Sequence, residues 1–128
     1  MGTVVVGYVP KPEGLAAVRA AVAEARLRSA SLVVVSSQRA TDDPAAAEQE
    51  LASVRSDLDE SGVAYEVRQL GHGLEPAEDL LSIAESSDAE LIVIGLRRRS
   101  PVGKLILGSN AQRILLDAHC PVLAVKAV

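Results

Sequence analysis

Four short, almost uninterrupted apolar runs recur along the chain: Val4-Val5-Val6, Leu32-Val33-Val34-Val35, Leu91-Ile92-Val93-Ile94 and Val122-Leu123-Ala124-Val125. A run this short without polar alternation suits a strand covered on both faces, as in a parallel sheet flanked by helices. A fifth segment, Val63-Ala64-Tyr65-Glu66-Val67-Arg68, alternates apolar and polar residues. Its alternation predicts a strand at a sheet edge, half open to solvent.

The stretches between these strands carry helical spacing. Leu15, Val18, Val22 and Ala25 share one face of the first helix. Ala47, Leu51, Val54 and Leu58 share one face of the second, and Gly62 is its expected C-terminal stop. Pro76 opens the third, with Glu78 and Asp79 near its positive dipole end and Leu80, Ile83 and Ala84 facing inward. Ser109-Asn110-Ala111-Gln112 fits a capping box, so Ser109 is predicted to cap the fourth helix, which buries Ala111, Ile114, Leu115 and Ala118.

Strand and helix alternate four times before a last strand. This order implies an α/β three-layer sandwich: a five-stranded parallel sheet with helices on both faces and right-handed crossovers. An edge position for the third strand favours order 3-2-1-4-5 over an order with the second strand at the edge. In either order the ligand crevice lies beyond the carboxyl ends of the first and fourth strands. The segments that reach it are Val9 to Pro12 and Leu96 to Ser109.

With 128 residues, the chain is expected to form one domain over 1–128. It has no Phe or Trp, so its core must come from Val, Leu, Ile and Ala. A net charge of -4 and a shortage of aromatic platforms argue against nucleic acid as a partner. The single Cys120 excludes an intrachain disulfide and a Cys-based metal site. The start lacks a basic leader and no apolar run could span a bilayer, so a soluble, cytoplasmic protein without a membrane partner is expected.

From Gly95 to Ser109 the chain leaves a strand, runs through a long loop and reaches a helix start, where backbone N–H groups and a helix dipole can meet an anion. The stretch resembles the G-x2-G-x9-G-[S/T] phosphate loop of universal stress proteins, with Gly95 as first glycine and Gly108-Ser109 as closing pair. The similarity continues through Asn110-Ala111-Gln112-Arg113-Ile114-Leu115 and His119-Cys120-Pro121-Val122-Leu123-Ala124-Val125. The opening Val4-Val5-Val6-Gly7-Tyr8 also matches, so the resemblance covers nearly the whole chain.

The resemblance implies a stress-response regulatory or adaptor protein that binds ATP or another adenine nucleotide together with Mg, and the lack of a paired acid and base or a Ser-His-Asp set in the sequence adds the expectation that it is not an enzyme. By position, Gly95, Arg98, Gly108, Ser109, Asn110 and Ala111 would meet the phosphates, with Val9 and Val35 nearer the base. Two residues depart from the pattern: Arg98 replaces the second glycine, and Val9 stands where nucleotide-binding members carry Asp. Valine cannot accept the hydrogen bonds that Asp accepts. Arg98 either blocks close backbone approach or grips a phosphate itself. A nucleotide-free homodimeric interaction module, with no cofactor, therefore stays open as the alternative. The family pairs through its last strand, which makes Val122 to Val128 the expected homodimer edge.

Other motifs have plainer readings. Gly103-Lys104 lacks both the G-x4-G-K spacing and the following Ser or Thr of a P-loop. Arg97, Arg98 and Arg99 form either an anion clamp or a solvated run. Cys120 reads as a core thiol, His72 as a solvated turn residue between Gly71 and Gly73, and Asp42-Asp43-Pro44 as a cap or turn. No catalytic set and no metal site emerges.

Overall fold

In the computed structural model, which describes residues 2–36, 43–70, 76–96 and 108–127, every apolar run is a strand. The order is β1 (Thr3–Tyr8), α1 (Pro12–Arg28), β2 (Ser31–Ser36), α2 (Pro44–Ser61), β3 (Tyr65–Gln69), α3 (Pro76–Ser86), β4 (Leu91–Leu96), α4 (Ser109–Asp117) and β5 (Val122–Lys126). All four strand pairings are parallel, and the sheet order is β3-β2-β1-β4-β5. β1 sits at the centre, with Val5 opposite Val33 of β2 and Ile92 of β4.

Two core clusters form because each inner strand is covered on both faces. Val4, Val6 and Tyr8 join α1 and α2 residues such as Ala21 and Leu58 in one cluster. Val5 joins Leu80, Ile92 and Ile114 on the side of α3 and α4. β3 behaves as its alternation predicts: Tyr65 and Val67 are half-buried while Glu66 and Arg68 are exposed.

Sequence spacing locates the face of α1 only in part, with Val18 and Ala25 buried as expected. The buried residues are Gly14, Ala17, Val18, Ala21 and Ala25, whereas Leu15 is exposed and Val22 only half-buried. α1 packs closely over the middle of the sheet, so small side chains face the strands. Leu15 and Val22 instead flank a separate groove with Val54 and Leu58 of α2. In α2, Leu51, Val54 and Leu58 are buried as expected, while the Ala47 side chain lies outside the described residues.

The α2 boundaries follow local chemistry. The Asp43 carboxylate accepts from the Ala45 N–H at 3.1 Å, which settles the cap reading of Asp43-Pro44. Gly62 ends the helix at φ 78, a left-handed conformation that glycine adopts without steric cost.

The start of α4 differs from the capping-box expectation. Gly108 is the N-cap, Ser109 is already in the first helical turn, and no side-chain cap bond forms. The Gln112 N–H donates to the Gly108 carbonyl at 3.0 Å, closing the first turn one residue earlier than a Ser109 cap would. Ile114 is buried, but Leu115 is exposed, contrary to expectation. With only nine residues, α4 presents a narrow stripe centred on Ile114 and flanked by half-buried Ala111 and Ala118, and Leu115 falls beside it.

Candidate functional site

The order reversal beside β1 opens a cleft of ≈ 210 Å³ at the carboxyl ends of the strands. Its floor is Gly7 and Val9 of the β1 end, Val35 of β2, and Ile94 and Gly95 of β4. Leu70, Pro76, Ala77 and Leu80 form one wall. Asn110, Ala111 and Ile114 of α4 form the other, and Glu13 and Gly14 close the side at α1.

The first turns of α1, α3 and α4 thus all reach the cleft, through Glu13 and Gly14, Pro76 and Ala77, and Asn110 and Ala111. A helix N-terminus carries unsatisfied N–H groups and roughly half a positive charge. Three such ends around a largely apolar cavity favour a ligand with an apolar body and an anionic group.

Two glycines make this convergence sterically feasible. A Cβ on Gly14 would lie 1.9 Å from the Val9 carbonyl oxygen, and one on Gly95 would lie 2.1 Å from that of Glu13. The first turn of α1 therefore rests on the backbones of both β1 and β4. Gly95 has this packing reason to be glycine besides any contact with an anion. Next to it, the Lys11 N–H donates to the Val9 carbonyl at 2.7 Å, folding the strand end tightly into α1.

The Arg113 guanidinium donates to the Glu78 carboxylate at 2.6 Å and joins α4 to α3. Asp117 lies 3.7 Å from the same guanidinium. Cys120 packs against the α3–α4 core cluster, where burial pushes its thiol pKa up, so the core-thiol reading fits its position.

Of the residues expected from sequence, Val9, Val35, Gly95, Asn110 and Ala111 come together in the lining. Gly108 and Ser109 stand at the adjoining helix start without lining the cleft. Arg98 lies outside the described residues, as do Arg97, Arg99, Gly103, Lys104 and His72. The sequence reading missed Glu13 and Gly14, and the α3 residues Pro76, Ala77 and Leu80, as cleft residues. One signal could have found them: Pro12 and Pro76 mark the starts of helices that follow β1 and β3, and such starts lie on the crevice side in this topology.

Among the described residues, no three His, Cys, Asp or Glu side chains gather as a metal site. No helix among them is long and apolar enough to cross a membrane.

A family model described as the universal stress protein family matches residues 1–126. A universal stress protein of Mycolicibacterium smegmatis is 46% identical over 126 residues, covering 96% of each chain. The solved structure of a universal stress protein from Archaeoglobus fulgidus gives a TM-score of 0.79 at 37% identity, covering 98% of both chains. The universal stress protein from Archaeoglobus fulgidus in complex with dAMP gives 0.73 at 30% identity, again covering 98% of both.

Proposed function

Because the chain belongs to the universal stress protein family, we propose that it is a cytoplasmic stress-response regulatory protein that binds an adenine nucleotide in the cleft between α3 and α4. The observation that carries this reading is the convergence of three helix N-termini on one apolar cavity. Val35, Leu70 and Leu80 offer an apolar surface for a base, and the α4 start offers N–H groups for a phosphate. The structure of a relative in complex with dAMP supports the ligand class. Mg would enter with a nucleotide's phosphates, since it binds mainly through them and few protein carboxylates. The role is binding and signalling, with no catalytic step assigned.

Calorimetric titration of nucleotide-free protein with Mg-ATP, ADP and AMP tests the reading. Saturable binding is expected, weakened at least tenfold in Ala111→Leu, whose larger side chain occupies the cleft while the fold is retained. Absence of heat at two temperatures would contradict it.

A homodimer through β5 is the second reading, and it accommodates both the nucleotide-bound and the nucleotide-free alternative. Val122, Leu123, Ala124 and Val125 are only half-buried on a sheet edge. An edge this apolar and free of bulges is suited to pairing with another strand. Sedimentation equilibrium should show a dimer that Ala124→Pro dissociates. A wild-type monomer at high micromolar concentration would exclude it.

A further inference from the structure

Val9 leaves the end of β1 without a side chain that can accept a hydrogen bond, yet the cleft is not without an acceptor. Among the described residues that line it, Glu13 is the only ionisable one and Asn110 the only other with a polar side chain. Glu13 sits in the first turn of α1 directly beside Gly95, its carbonyl oxygen 2.1 Å from where a Cβ on Gly95 would be. Gly14, the next residue, rests on the backbone of Val9. The Glu13 carboxylate thus arises from the point where the strand ends of β1 and β4 meet the cleft, and among the described residues it has no ion-pair partner.

The geometry points to Glu13 as the residue that selects ligands carrying free sugar hydroxyls, in place of an acceptor at position 9. An ionised carboxylate only accepts hydrogen bonds, and two adjacent hydroxyls offer it two donors. The same carboxylate disfavours a phosphate beside it and leaves that group to the α4 N-terminus across the cleft. Glu13 and α4 together would fix which way round a nucleotide lies. The inference rests on the nucleotide reading above and adds to it a preference for a ribonucleotide over one lacking both hydroxyls.

The test compares AMP with 2′,3′-dideoxy-AMP, titrated in EDTA so that no divalent cation bridges carboxylate and phosphate. Wild type should bind AMP roughly ten- to a hundredfold more tightly, the range for losing hydrogen bonds to a charged group. Glu13→Ala should bind both at the weaker level, and Glu13→Gln, which keeps one acceptor oxygen, should fall between. Thermal unfolding of each variant establishes that the fold is intact. A preference that survives Glu13→Ala, an equal loss for both ligands, or tighter binding of both would overturn the role of Glu13 and leave the nucleotide reading standing. No binding of AMP by wild type would overturn the role of Glu13, and no binding of Mg-ATP or ADP either would overturn both.

Discussion

At Gly95 a single added methyl group would collide with the Glu13 carbonyl, and at Gly14 with that of Val9. Both obstacles are backbone atoms, which cannot swing aside as a side-chain tip can. Gly95→Ala and Gly14→Ala should therefore each destabilise the fold by about 2 kcal/mol, the usual scale for overpacking, measured by urea denaturation. Ser109→Ala should change stability by less than about 0.5 kcal/mol, because the exposed hydroxyl caps nothing. A loss near 1 kcal/mol would restore the cap role that its sequence pattern suggested. Both tyrosines hold their protons more firmly than usual: Tyr8 through burial and then the nearby charge of Glu50, Tyr65 through its hydrogen bond to Asp59 at 2.6 Å. A group whose pKa is raised by folding stabilises the native state below its unfolded value and loses that contribution as pH rises through the folded one. Stability should thus fall above pH ~10, with tyrosinate absorbance rising at higher pH in folded than in unfolded protein.

At the scale of elements, strands were more legible than helix faces. Unbroken Val, Leu and Ile runs mark β1, β2 and β4, which are buried on both sides, and the alternation at Tyr65 to Arg68 placed β3 at the edge; the equally unbroken run Val122 to Val125 is instead a half-buried edge strand, a place its pattern did not reveal. The face of α1 was read only in part: Val18 and Ala25 are buried as expected, but Leu15 is exposed and Val22 half-buried, whereas Ala17 and Ala21 are fully buried. Hydrophobic spacing weights large residues, but close helix–sheet packing selects small ones. Ala21→Leu should accordingly cost about 2 kcal/mol or more, whereas Leu15→Ala should cost under about 1 kcal/mol; chemical denaturation of the two variants would reverse this order if the sequence-derived face were right. The α4 cap was misassigned for a related reason, since Gly108 and Ser109 both suit an N-cap and only backbone geometry separates them.

For the whole molecule, strand order decides where function can sit. Reversal beside β1 brings together residues from opposite ends of the chain, Val9 and Glu13 with Asn110 and Ala111, and no local pattern links them. The resemblance to a phosphate loop singled out Val9, Val35, Gly95, Asn110 and Ala111, which do line the cleft. It was silent on Glu13 and the α3 wall, because a motif defined by glycine spacing carries no information about the helix packed across from it. Among the described residues, the cleft is built by α1 and α3 as well as by the β4 end and α4. The most direct measurement is amide chemical-shift mapping of labelled protein with saturating AMP. The largest changes are expected at Gly14, Gly95, Ser109, Asn110 and Ala111, with the α1–α2 groove around Val22 and Val54 unaffected. Changes confined to that groove, or none anywhere, would contradict a nucleotide site at the head of β1 and β4.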